Sequence, residues 1–190
     1  MNFIRTAIPD VILIEPKIFG DERGYFFESF KKKEFEDFLG YSVNFIQDNE
    51  SKSSYGVLRG LHFQKPPYAQ AKLVRVIKGA VLDIAVDVRI GSPTYGQTVA
   101  IELDEFSKKQ LFVPRGFAHG FVTLMEDTIF SYKVDNYYNQ QSEGGINFDD
   151  SDLNIDWKLP KEDLIFSEKD RNQSRFTEVQ DFVFNANSNA

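Results

Sequence analysis

The amino-acid sequence predicts an all-β protein, a sandwich or jelly roll, from three observations. Short runs of β-branched and aromatic residues recur along the chain, Gly and Pro punctuate them, and helical periodicity is sparse. The strand-like runs are residues 11–14, 25–27, 43–46, 72–77, 81–88, 98–103, 110–113 and 128–134. Gly20, Gly56, Gly79, Gly91-Ser92-Pro93 and Pro114-Arg115-Gly116 read as turns between strands. About eight or more strands at this spacing suit two antiparallel layers. A few short helices are expected beside them. Residues 32–39 place Phe35, Phe38 and Leu39 on one face and stop at Gly40, and a second short helix falls within 167–179.

Alternation assigns faces. Lys72, Val74, Val76 and Lys78 share one side of a strand, while Asp83, Ala85 and Asp87 oppose Leu82, Ile84, Val86 and Val88. Asp83 then reads either as an exposed sheet carboxylate or as a functional one.

The length, 190 residues, suits one domain, expected over 1–184 with a polar, frayed tail at 185–190. Nineteen Phe and two Met predict an aromatic, sharply shaped core. A net charge of −7 argues against nucleic acid as a partner, and Lys31-Lys32-Lys33 reads as a solvated helix start. The absence of Cys excludes thiolate chemistry and favours a cytoplasmic location. Residues 1–10 hold no apolar run of signal-peptide length. Asp83 and Asp87 interrupt the most apolar segment, so no membrane span is expected.

The sequence contains two histidines, His62 and His119, too few for the three-imidazole sites of metal-dependent small barrels. No metal and no other cofactor is expected. A serine-hydrolase elbow is also lacking. Taken singly, the remaining candidates stay ambiguous. His62 can be a hydrogen-bonded structural histidine, Lys72 a surface strand lysine and Tyr132 a core aromatic with its hydroxyl at the rim. Ser167-x-x-Asp170 reads equally well as a helix capping box.

Taken together, Gln47-Asp48-Asn49, the run Gly56-Val57-Leu58-Arg59-Gly60-Leu61-His62-Phe63-Gln64 and Gln70-Ala71-Lys72-Leu73-Val74-Arg75 resemble the signature of dTDP-4-dehydrorhamnose 3,5-epimerases. Arg23-Gly24-Tyr25-Phe26-Phe27-Glu28, Ser92-Pro93-Thr94-Tyr95-Gly96, the run from Pro114 to Phe121, Tyr132, Tyr138 and Ser167-Glu168-Lys169-Asp170 follow in family order. The similarity spans roughly residues 3 to 180. Phe148, where the family often has Trp, and Asp149-Asp150-Ser151, which lacks the usual Pro, depart from it as packing changes.

The resemblance implies a cupin-like jelly roll, a homodimer, no cofactor and a nucleotide-sugar substrate, dTDP-4-dehydro-6-deoxy-D-glucose, epimerised at C3 and C5. By motif position His62 is the base, Asp170 orients it, Lys72 faces the enolate oxygen with Asp83 positioning it, and Tyr132 is the acid. Arg59, His119 and Lys169 match positions near the diphosphate and sugar. Arg23, Glu28, Gln47, Asn49 and Glu143 are further contacts, and Tyr138 matches the position that stacks on thymine. The competing expectations are a single-carbon epimerase or ketoisomerase on the same scaffold, which Tyr132 disfavours, and a non-catalytic sugar-nucleotide binder, which would not need His62, Lys72 and Tyr132 together.

Overall fold

The computed structural model describes residues 1–185, so the expected tail lies outside the described residues except for Asn185. The chain runs β1 (Asn2–Arg5), β2 (Ile12–Glu15), β3 (Ile18–Asp21), β4 (Gly24–Phe27), α1 (Lys32–Leu39), β5 (Gln47–Ser53), β6 (Leu58–Gln64) and β7 (Lys72–Lys78). It continues through β8 (Ala80–Asp87), β9 (Thr98–Asp104), β10 (Gln110–Val113), β11 (Phe117–Thr123), β12 (Thr128–Val134), β13 (Glu143–Gly145) and α2 (Glu168–Arg171). A six-stranded sheet in the order β1-β2-β10-β7-β12-β5 faces a five-stranded sheet in the order β13-β6-β11-β8-β9. Within both sheets the strand pairs are antiparallel, and the architecture is a cupin-like jelly roll. The hairpin β3–β4 pairs with itself and is largely exposed.

The predicted alternation sorts side chains into three apolar layers. Val74 and Val76 of β7 meet Val81 and Ala85 of β8 and Phe121 and Phe130 between the sheets. Leu82, Ile84 and Val86 point the other way, under a cover containing Phe148, Trp157 and Phe176. Phe148 therefore fills a packed position, and the neighbouring Asp150 ties the cover together by accepting the Phe176 N–H at 2.8 Å.

Leu73 and Phe112 face outward from the six-stranded sheet, where α1 lays Phe35 against them with the Phe35 and Phe112 rings edge to face at 5.0 Å. Burying one such ring contributes roughly 1.5–3 kcal/mol. Gly40 ends α1 at φ 83°, a left-handed position that suits glycine. Lys31–Lys33 lie at the exposed start of α1 in ion pairs with Glu28, Glu34, Glu36 and Asp37.

Residues 43–46, expected as a strand, have no ladder partner along that run. Val43 and Phe45 instead pack onto Phe35 beneath α1, so their apolar character serves a loop anchor. Pairing begins one residue later, in polar β5. The expected second helix divides into α2 and a 3-10 turn at Phe176–Glu178. Among the described residues no helix is long and apolar enough to cross a membrane.

Candidate active site

Between the sheets lies a cavity of about 560 Å³ lined by residues from both, with its mouth beside α2. His62, Arg59, Lys72, His119, Tyr132, Lys169 and Asp170 all line it, though they are scattered over more than a hundred sequence positions.

Arg59 and His62 share this lining because β6 is irregular. Three residues apart, they would face opposite sides of a regular strand. Opposite β11, however, Arg59 pairs with Phe121 and His62 with His119, so three steps on β6 match two on β11. The extra residue is a bulge, and it turns both side chains inward. Gly60 makes it possible: at φ 135° a Cβ would stand 2.5 Å from Gly120 Cα.

His62 Nε2 lies 2.5 Å from Asp170 Oδ1, with the carboxylate side chain almost wholly shielded. A carboxylate accepts, so Nε2 is the donor, and in the neutral imidazole the lone pair is on Nδ1. Burial works to raise the Asp170 pKa, but the hydrogen bonds from His62 and Ser167 outweigh it and hold the carboxyl below its ordinary value. The capping reading of Ser167-x-x-Asp170 is also correct, because Ser167 caps α2 by accepting the Asp170 N–H at 3.2 Å.

Facing His62, Tyr132 projects from β12, where its neighbours are Asn49 on β5 and Val74 on β7. Burial raises the Tyr132 pKa against the opposing pull of Arg59. Lys72 opens β7 beside it. Lys72 is partly exposed as a whole residue, but burial of its ammonium lowers the pKa to about 8 even though the charges of Asp83 and Glu143 act the other way.

Of the two readings of Asp83, the exposed sheet carboxylate does not hold. Asp83 is fully buried rather than exposed, it does not line the cavity, and its two oxygens each lie 3.0 Å from His119 Nε2. Asp83 thus positions His119 directly and reaches Lys72 through its charge. Burial lowers the His119 pKa, and Asp83 resists that.

The rim carries further predicted residues. Tyr138 Oη donates to Glu143 Oε2 at 3.1 Å, and Lys169 pairs with Glu143 Oε1. Gln47 Nε2 donates to Asn49 Oδ1 at 2.8 Å on the half-buried face of β5, next to the cavity lining. Arg23 and Glu28 do not reach this cavity within the chain: Arg23 pairs with Asp21 at 2.5 Å and Glu28 with Lys31 at 3.0 Å, both on the surface. Sequence reasoning passed over Phe121 and Phe130, whose rings stack at 4.1 Å along the lining. Their only sequence signal is inward alternation. Among the described residues no group of His, Cys, Asp and Glu is placed to hold a metal ion.

A jelly roll that turns an imidazole–carboxylate pair, a lysine and a phenol toward one cavity holds the groups that proton-transferring enzymes use. Comparison with known proteins narrows this class. The sequence profile described as dTDP-4-dehydrorhamnose 3,5-epimerase matches residues 5–178, and the chain belongs to that family. It is 50% identical to the dTDP-4-dehydrorhamnose 3,5-epimerase of Shigella flexneri over 96% of this chain and 100% of that protein. The crystal structure of the enzyme of that name from Elizabethkingia anophelis is 54% identical, with a TM-score of 0.91 over 94% of this chain and 97% of the other. A dTDP-6-deoxy-D-glucose-3,5-epimerase from Legionella pneumophila, solved in complex with dTDP-4-keto-L-rhamnose, matches with 45% identity and a TM-score of 0.93 over 97% and 99% of the two chains.

Proposed function

We propose that the protein converts dTDP-4-dehydro-6-deoxy-D-glucose into dTDP-4-dehydro-L-rhamnose by inverting C3 and C5 through enolate intermediates. One observation carries this reading: His62, held by Asp170, and Tyr132 enter the cavity from opposite sheets. Inversion needs a base on one face of the sugar and an acid on the other, and these two side chains supply them.

The ketone at C4 acidifies the hydrogens on C3 and C5. His62 Nδ1 removes one of them, and Asp170 stabilises the imidazolium that forms. The bonding pair moves into the ring carbon–C4 bond, and the C4 oxygen becomes an enolate beside the Lys72 ammonium. The enolate then collapses back to the ketone as Tyr132 delivers a proton from the far face. Burial favours the protonated phenol, which suits an acid at neutral pH. Exchange with solvent then takes the proton from His62 and returns one to Tyr132, and repeating the cycle at the second carbon completes the reaction without a cofactor.

Arg59 and Lys169 supply the positive charge that a nucleotide diphosphate requires, and His119 lines the cavity beside them. Tyr138 offers a face for the thymine ring, with Gln47, Asn49 and Glu143 near it. Arg23 and Glu28 serve the partner's cavity in a homodimer, since they lie outside their own. The protein acts in the cytoplasm on this small-molecule substrate, as a single domain over residues 1–184.

The test is proton NMR of dTDP-4-dehydro-6-deoxy-D-glucose with the protein in deuterated water. Deuterium at both C3 and C5 with appearance of the rhamno product is the expected result. Exchange at one carbon alone makes the protein a single-carbon epimerase, and no exchange removes the enolate mechanism.

A further inference from the structure

Ser167 makes two bonds with one residue. Its Oγ accepts the Asp170 backbone N–H at 3.2 Å and donates to Asp170 Oδ2 at 2.7 Å. Asp170 Oδ1, the other oxygen of the same carboxylate, takes His62 Nε2 at 2.5 Å. The oxygens of Asp170 are thus each claimed, and a serine hydroxyl fixes which one faces the histidine. Ser167 also lines the cavity, and α2 packs against β6, the strand that carries His62.

An N-cap needs only an acceptor, a role that Asp or Asn fills as well as Ser. Orienting a carboxylate needs a donor, which an ionised Asp cannot be. A hydroxyl does both at once, so the residue type at 167 follows from the second duty rather than the first. We infer that Ser167 is a positioning residue of the reaction, acting through Asp170 to hold the His62 base in register and to set its basicity. This rests on the reading of His62 and Asp170 as the base pair.

Loss of the Ser167 donor leaves Oδ2 unpaired, which concentrates negative charge on the carboxylate and strengthens its hold on a protonated His62. The imidazolium is then easier to form, and the acid limb of activity moves to higher pH. The titratable and charged groups around the pair are Glu50 on β5, Arg59 on β6, Lys72 on β7, His119 on β11, Tyr132 on β12, Glu143 on β13 and Lys169 on α2. The Ser167 hydroxyl bonds none of them, so its removal leaves their contacts in place.

The experiment measures kcat, KM and thermal midpoint against pH for the intact protein and for Ser167→Ala, Ser167→Thr, Ser167→Asp and His62→Ala, with dTDP-4-dehydro-6-deoxy-D-glucose as substrate. A lost hydrogen bond to a charged group should lower kcat of Ser167→Ala about tenfold with KM nearly unchanged, together with the upward shift of the acid limb. Ser167→Thr, which keeps the hydroxyl, restores both rate and limb. Ser167→Asp keeps an acceptor for the cap but sets a second carboxylate against Asp170, so it loses rate together with part of the thermal midpoint. An unmoved acid limb in Ser167→Ala, or full activity in Ser167→Asp, overturns the inference, because capping alone then accounts for Ser167. Full activity in His62→Ala would instead overturn the base pair itself, an outcome that the Ser167 variants do not mimic.

Discussion

Both carboxylate oxygens of Asp83 lie 3.0 Å from Nε2 of His119, on neighbouring strands β8 and β11 and closed to solvent. The same negative charge partly offsets the burial that brings the pKa of Lys72 down to about 8. Asp83→Asn keeps the shape and removes the charge. It should cost about 1–3 kcal/mol of stability, the range for a hydrogen bond to a charged group. Lys72 must be protonated to steady an enolate, so activity should fall as pH rises through about 8, and that alkaline limb should move to lower pH in Asp83→Asn. A kcat/KM profile of the two proteins decides it: an unmoved limb means that Lys72 is not the group titrating.

Lys72 should also work against stability. Between pH about 8 and the ordinary lysine value of 10.5, the unfolded chain holds a proton that the folded chain has released. Stability contributed by this site therefore rises with pH across that window and is lowest below it. Lys72→Met removes the burdened charge while filling the same space. At pH 7 it should raise stability by roughly 1–3 kcal/mol, less than the full shift implies because the residue is only partly buried. The advantage should vanish by about pH 10.5, while kcat falls about 10²–10³-fold for loss of an oxyanion stabiliser. Urea midpoints at pH 7 and pH 10.5 show the sign, and a variant less stable than the parent at pH 7 refutes it.

Much of the jelly roll was legible because its central strands are β-branched and aromatic with clear alternation, as in Lys72–Lys78 and Ala80–Asp87. β5 was not, since Gln47–Ser53 contains no β-branched or aromatic residue. It is a strand because β12 pairs with it along its whole length, and its outward Asp48, Glu50 and Lys52 suit an exposed edge. β11 was hidden by Gly120, which belongs there because a Cβ would stand 2.8 Å from Arg59 O. The motifs contain residues that the fold gathers around one cavity, His62, Lys72, Tyr132 and Asp170 among them. What no motif displays is the bulge that turns Arg59 and His62 to one side, or the pairing of Asp83 with His119 rather than Lys72. Both depend on strand register, which is a property of the partner strand as much as of the residues themselves.

The hairpin β3–β4 leaves Tyr25 60% and Phe26 65% exposed, beside the surface-facing Arg23. If it completes a partner's cavity, two crippled chains should rescue each other. Co-expressed Arg23→Ala and His62→Ala chains form mixed dimers in which one cavity carries both defects and the other neither. Random pairing then returns about a quarter of the parent activity from two weak parents. Sedimentation should give a dimer throughout. Failure of the mixture to exceed the average of its parents would make each chain's site self-sufficient.

Tyr132→Phe separates inversion from exchange. The substitution deletes one hydroxyl and keeps the ring against Phe130, at 6.1 Å between centroids, so packing should survive. His62 remains able to remove a proton and return one to the same face. Deuterium from solvent should therefore still enter the substrate, most clearly at C5, while formation of the rhamno product falls about 10²–10⁴-fold for loss of a positioned general acid. The two rates are read from one NMR time course, with His62→Ala as the control in which exchange and inversion both stop. Equal loss of exchange and inversion in Tyr132→Phe would make Tyr132 a residue that holds the substrate or its enolate. Undiminished inversion would assign the acid to water or another side chain, because delivery from the far face would then proceed without the phenol.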